Sequence, residues 1–257
     1  LTLFEALQCA SGKCIALTGS GGKTTIMFQL GRELVLQGKR VIISTTTKIA
    51  APSGKEEWFL LDKGIKSFRE SWRKSSREPA LCIVGSRLVE EDKKLDAINM
   101  ETVRELITWE DLDYLLIEAD GSRGKALKGH APYEPVIPEN CDIVIAVAGL
   151  EVLGHPLSAE YVHRHEIVMR LLQKREGTIV DERDVAALLV HREGYLGRTG
   201  LRETRIILNG ISQESQYRAA LSIAEALHEH SKELMVCLRG PLFGLSPENN
   251  YGHIVLK

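Results

Sequence analysis

Short, almost uninterrupted apolar runs alternate along this chain with longer stretches in which apolar residues recur every three or four positions. The runs at 14–18, 40–44, 80–84, 114–117, 142–148, 205–208 and 234–238 predict strands. Several lack the polar alternation of a half-exposed sheet, so they are expected to be covered on both faces. Helices are predicted at 23–37, 100–108, 160–173, 182–191 and 213–230. The first places Met27, Leu30 and Leu34 on one face and meets Gly38 as a left-handed cap. Strands and helices alternating in this way predict parallel strands joined by helical crossovers, a doubly wound, mostly parallel α/β sheet with helices on both faces. The 257 residues read as one such domain (1–257), with the mostly helical stretch 149–200 a candidate small lobe beside the sheet. The charged, serine-rich segment 63–78 (KGIKSFRESWRKSSRE) reads as a solvated connection or an excursion from the sheet.

Composition changes this picture little. Lys and Arg number 33 against 35 Asp and Glu, a net charge of −2. The basic surplus typical of nucleic-acid binders is missing, and no nucleic-acid partner is expected. The longest apolar runs, such as 143–150, are strand-sized and far short of a membrane span. The opening LTLFEALQCASGKCIAL lacks the basic stretch of a signal peptide, so the expectation is a cytoplasmic protein with no membrane partner. The five cysteines, Cys9, Cys14, Cys82, Cys141 and Cys237, contain no CxxC pair and fit buried free thiols in a reducing compartment.

The chemistry begins where the first strand meets the first long helix. Thr18-Gly19-Ser20-Gly21-Gly22-Lys23-Thr24-Thr25 stands at that junction, the context a phosphate-binding loop requires. Glycines let backbone N–H groups curl around phosphate oxygens, and the helix offers its positive end. Lys23 is placed to reach the β- and γ-phosphates of a nucleoside triphosphate, and Thr24 to ligate Mg²⁺. The pattern GxxxxGK[ST] asks for glycine six residues before the lysine, where this chain has Leu17. Gly19, Gly21 and Gly22 supply the freedom instead. The shortened loop resembles that of Mur ligases and folylpolyglutamate synthetases, and more distantly the loops of GTPases and ATPases of metal-centre maturation.

Other candidates sit at predicted strand ends, the rim where open α/β sheets bind ligands. The strand at 114–117 runs into Glu118-Ala119-Asp120. Carboxylates there hold Mg²⁺ and its waters in nucleotide sites, which makes Glu118 the first candidate for a magnesium-linked or water-orienting group and Asp120 the second. Thr45-Thr46-Thr47-Lys48 follows the second strand; Thr46 could complete the magnesium site and Lys48 could neutralise a phosphate. Arg123, Lys125, Lys128 and His130 crowd the loop after Glu118, as suits an anionic second substrate or a phosphate-sensing switch. Lys23, Lys48, Arg123, Lys125 and Lys128 are expected to converge on one rim. Asn209 ends the strand at 205–208, where a guanine-specific GTPase places NKxD. The sequence Asn209-Gly210-Ile211-Ser212 lacks the lysine and aspartate, so ATP is preferred over GTP while Asn209 stays a candidate base contact.

TGSGGKTT, STTTKI, IEADGSRGKALKGHAPYEPVIP and VAGLEVLGHPL with YVHRHE together resemble one family, the selenium-dependent hydroxylase accessory proteins known as the YqeC family. The resemblance runs from about residue 3 to about 236. It implies a P-loop protein that accompanies maturation of a molybdenum-containing hydroxylase, whose enzyme or cofactor-maturation proteins would be partners. Its motif falls here on Gly19, Gly22, Lys23, Thr24, Thr46, Lys48, Glu118, Asp120, Gly121, Lys128, Glu134, Pro135, His163 and Arg164. His163 is expected on a helix, and His155, His163, His165 and His191 have no metal-binding spacing. The reading is Mg²⁺-dependent binding, with hydrolysis, of ATP or GTP; the alternative is a kinase or ligase acting on a small anionic substrate.

Overall fold

In the computed structural model, residues 2–50, 57–61, 64–74, 78–89, 94–200, 202–241 and 251–256 are described. In chain order they form α1 (Leu3–Leu7), β1 (Cys14–Gly19), α2 (Lys23–Leu36), β2 (Arg40–Thr45), β3 (Lys48–Ala50), β4 (Glu57–Leu60) and α3 (Gly64–Lys74). Then come β5 (Ala80–Gly85), β6 (Leu88–Val89), β7 (Lys94–Asp96), α4 (Met100–Ile107), β8 (Tyr114–Glu118), β9 (Leu127–Lys128), β10 (Ile143–Gly149) and β11 (Val162–His163). The chain ends with α5 (His165–Leu172), α6 (Glu182–Val190), β12 (Glu203–Asn209), α7 (Glu214–His230), β13 (Met235–Pro241) and β14 (Tyr251–Leu256).

Nine strands make the central sheet in the order β14-β13-β12-β10-β1-β8-β2-β5-β4. All neighbours are parallel except β14, which runs against β13. The apolar runs become parallel strands because side chains alternate between two buried faces. In β1, Ile15 and Leu17 pack with Met27, Leu30 and Leu34 of α2, while Cys14 and Ala16 join Phe68, Trp72, Val103 and Leu106 of α3 and α4. In β12, Ile207 lies on the α2 side, and Ile206 and Leu208 face Ile223 and Leu227 of α7. Helices therefore cover both faces, the doubly wound arrangement read from the sequence. Val152, Leu157, Val168, Leu188 and Tyr195, all from the 149–200 stretch, are buried in one cluster with β10, β12 and α7.

Segment 63–78 departs from its reading. Residues 64–74 form α3, which buries Phe68 and Trp72 while Lys66, Glu70, Arg73 and Lys74 are exposed and Arg69 folds over the Trp109 ring. Trp72 is covered by the Arg40 guanidinium, 4.1 Å from the ring centroid, a contact that shields an aromatic face in a charged setting. The helix expected at 160–173 also begins later. Val162 and His163 pair with Leu127 and Lys128 as a two-stranded ribbon, and Arg164 takes the left-handed conformation (φ 53°) before α5 starts. His163 is thus a strand residue, because a left-handed residue interrupts the helix behind it. A three-stranded sheet, β3-β7-β6, stands beside the carboxyl end of β2. Among the described residues no helix is long and apolar enough to cross a membrane, and all five cysteines are buried free thiols.

Candidate functional site at the carboxyl rim

β1 lies centrally, and its chain leaves through Ser20, Gly21 and Gly22 into α2. Gly19, Gly21 and Gly22 hold φ values of 95°, 79° and 110°, a region closed to most side chains. A Cβ on Gly19 would stand 2.2 Å from the Val147 carbonyl oxygen and 2.6 Å from the Tyr195 ring. The turn is braced from below. Ser20 N–H donates to the Val147 carbonyl (2.9 Å) and Gly21 N–H to the Lys125 carbonyl (3.0 Å). A hydroxyl chain runs from Lys128 N–H to Tyr195 Oη (3.1 Å), on to Ser20 Oγ (3.0 Å) and to the Ala126 carbonyl (2.9 Å). Asn209 Nδ2 donates to the Gly21 carbonyl (2.6 Å), and its Oδ1 accepts from Arg239 (2.8 Å). Asn209 thereby clamps the loop, and it does not line the cleft described below. Tyr195 is the supporting residue that the sequence did not disclose.

Beyond the turn, Gly22 caps α2 without any side-chain hydrogen bond to the helix end. Gly22, Lys23, Thr24 and Thr25 line a cleft of about 860 Å³ together with Glu118, Thr47, Lys48, Lys94, Arg123, Glu134, His163 and Arg164. An uncapped helix start facing such a cleft offers orphan N–H donors and the positive end of the helix dipole. Thr24 Oγ1 donates to Glu118 Oε2 at 2.7 Å. Burial pushes the Glu118 carboxyl above its ordinary range, against the pull of Lys23 and of the Thr24 hydrogen bond.

Asp120 and Lys128 have gone inward. Asp120 is wholly buried and accepts from Thr18 Oγ1 (2.8 Å), from Gly19 N–H (3.0 Å) and from His130, whose Nε2 lies at 3.1 Å. Lys23 Nζ lies 3.2 Å away and Lys128 Nζ 3.1 Å. Burial works against ionisation of Asp120, but Lys23, the His130 hydrogen bond and Lys128 outweigh it and hold the carboxyl below the usual range. Lys128 also reaches the Gly121 carbonyl (2.8 Å) and Glu134 (3.0 Å), and Glu134 is gripped in turn by Arg164. The charges thus alternate along a chain that is buried from Lys23 through Asp120 and Lys128 to Glu134 and ends on the half-buried Arg164.

The expected convergence of five cations is therefore corrected. Lys23, Lys48 and Arg123 line the cleft, Lys128 is an internal strut, and Lys125 is turned away to the Glu160 carbonyl (2.7 Å). Thr46 Oγ1 donates to the Val136 carbonyl (2.8 Å), and it is Thr47 that lines the cleft. Thr47 stood in the candidate run 45–48 although Thr46 was singled out, and Lys94 was not among the candidates. Lys94 had no local signal, since only the pairing of β3 with β7 brings it to the rim.

Residues 15–166, which carry the loop, Glu118, Asp120, Lys128, Glu134, His163 and Arg164, match the model of the family described as YqeC protein. The chain belongs to the YqeC family. One relative, described as "Uncharacterized protein YqeC" from Escherichia coli (strain K12), is 30% identical over 223 residues, covering 85% of this chain and 84% of its own. No solved structure matches. The YqeC match ends just after Arg164, so Tyr195 and Asn209, which brace the loop from later strands and turns, lie outside it.

Proposed function

We propose that this YqeC-family chain binds a magnesium nucleoside triphosphate on residues 19–25 and cleaves its terminal phosphate, as an accessory to the maturation of a molybdenum-containing, selenium-dependent hydroxylase. The observation that carries the reading is the uncapped start of α2 opening into the cleft, with Lys23 and the Thr24–Glu118 pair beside it. N–H groups of Gly22 to Thr25 take phosphate oxygens. The Lys23 ammonium, now held by the Gly19 carbonyl at 2.7 Å and by Asp120, is the cation that turns to the transferring group.

A hydroxyl beside a carboxylate is the hard oxygen chemistry that Mg²⁺ accepts. Among the described residues no three His, Cys, Asp or Glu side chains form a cage, which suits an ion held mainly by phosphates and water. Thr24 and, through water, Glu118 would hold Mg²⁺, which when bound supplies neutralisation of phosphate charge. Glu118 orients the attacking water. Asp120 keeps the loop and Lys23 in place. ATP is preferred over GTP because the chain after β12 lacks the lysine and aspartate of a guanine site. The place in hydroxylase maturation rests on the family resemblance alone.

Calorimetry with Mg·ATP, Mg·GTP and Mg·CTP on the wild type and on Lys23→Ala tests this. The variant should lose about 100-fold in affinity, the worth of a charge-assisted contact to phosphate. No binding of any nucleotide to the wild type, or equal binding by the variant, would overturn it. Strong GTP preference would overturn the base assignment.

A further inference from the structure

The cleft is lined by cations that the phosphate loop does not supply. Among the described residues its walls carry Lys23, Lys48, Lys94, Arg123 and Arg164 beside Glu118 and Glu134, with Asp96 acting on Lys48. Three of these cations and a histidine stand apart from both the loop and Lys48. Lys94 comes from β7, Arg123 from the turn after β8, and His163 and Arg164 from β11 and the residue behind it. Arg164 donates through both terminal nitrogens to Glu134 and lies over the Tyr133 ring, 5.7 Å from its centroid. Its position is thereby fixed, and the N–H groups that Glu134 does not take are the ones that can meet a further oxyanion.

We propose that Lys94, Arg123, His163 and Arg164 form the seat of a second ligand, a small molecule bearing a carboxylate or a phosphate monoester, bound beside the nucleotide. The inference rests on the nucleotide reading for its meaning, as the second substrate of that site, but not for its detection. His163 reports on the seat. Its pKa is lowered to about 4, by burial first and then by Arg164 and Lys128, with Arg123 adding to them and Glu134 pulling the other way. An oxyanion at the seat stabilises the imidazolium and raises that value.

The experiment is NMR titration of the His163 ring, with inorganic phosphate and with acetate as separate probes. It is run on Lys23→Ala and on wild type saturated with Mg·ADP, so that the phosphate loop is disabled in one sample and filled in the other. The expected result is a rise of the His163 pKa by about one unit with either probe. Phosphate acting alone assigns a phosphate monoester and acetate alone a carboxylate. Lys94→Ala with Arg123→Asn, which keeps a residue tolerant of the φ of 50° at position 123, should weaken the effective probe about tenfold. Both side chains are exposed, so the double variant folds. The inference is overturned if neither probe moves His163 or if the double variant binds as well as the wild type. It is also overturned if the response vanishes in both Lys23→Ala and the Mg·ADP-saturated wild type, since the probe then occupies the phosphate loop. A surviving His163 response without nucleotide binding would sink the nucleotide reading and leave this one standing.

Discussion

Replacing Asp120 by asparagine removes one charge from the buried chain and keeps the shape. Both carboxylate oxygens are occupied in the native protein, accepting from Thr18 and Gly19 with His130 and the two ammonium groups alongside. An amide nitrogen must therefore point a donor at donors. Removing one partner of a buried ion pair costs about 3–5 kcal/mol. Lys23 keeps Glu118 at 3.8 Å and Lys128 keeps Glu134 at 3.0 Å, which puts the cost at the lower end, about 3 kcal/mol. With a urea m-value of about 3 kcal/mol/M, the unfolding midpoint should fall by about 1 M. The pH dependence gives a second readout. Because the folded carboxyl titrates below its unfolded value of about 3.9, its stabilisation is complete above that pH and is lost as pH falls toward the folded value. The gap between wild type and Asp120→Asn should thus narrow as urea melts are repeated from pH 6 to below about pH 4. A midpoint shift under about 0.3 M, the worth of an exposed pair, or a gap independent of pH would refute the account of Asp120 as the charge that holds Lys23 and Lys128.

Glu118 should behave in the opposite sense. Its carboxyl is raised by burial, so its ionisation costs stability as pH climbs past the unfolded value of about 4.3. Glu118→Gln should therefore melt in urea at neutral pH no earlier than wild type, up to about 1 kcal/mol later, while losing nucleotide hydrolysis; a clear loss of stability would contradict this. Tyr195→Phe deletes the hydroxyl between Lys128 N–H and Ser20 and should cost about 1–3 kcal/mol, read by the same melts, with slower exchange of the Lys128 amide in the wild type as its signature. Phe68→Ala should cost about 3–5 kcal/mol, because the ring is buried against Phe59, Trp72 and Trp109; a change below about 1 kcal/mol would return α3 to a solvated segment.

The parts of this protein that were legible in its sequence are those whose cause is local. The middles of β1, β8, β10 and β12 (Ile15–Leu17, Leu115–Ile117, Ile143–Ala148 and Ile206–Leu208) are apolar because both faces are covered, and that imprint needs no knowledge of partners. The loop 19–25 and Glu118 follow strand ends directly, so their place on the rim was fixed once the strands were known. α3 hid because its burial rests chiefly on Phe68 and Trp72 in a charged background. The two-residue strands β9 and β11 hid because pairing between distant residues creates them, and His163 was assigned to a helix for want of it.

Lys128 shows the limit most clearly. By residue type it belongs on the surface, since burying an ammonium alone is costly. It is fully buried here because Asp120, Glu134 and the Gly121 carbonyl meet it at about 3 Å, and all three partners lie within eight residues of it in sequence. The same proximity that suggested a cluster of free cations at the ligand was in fact a set of partners closing on one another. Glu118 and Asp120 divide along the same line. Both follow β8, yet one lines the cleft with its carboxyl raised and the other is enclosed by donors with its carboxyl lowered. Residue type and spacing place both at the carboxyl rim of the sheet. Which acid faces the cleft and which holds the loop is decided by Thr18, His130 and Lys128, contacts that form only when β1, β8 and β9 have come together.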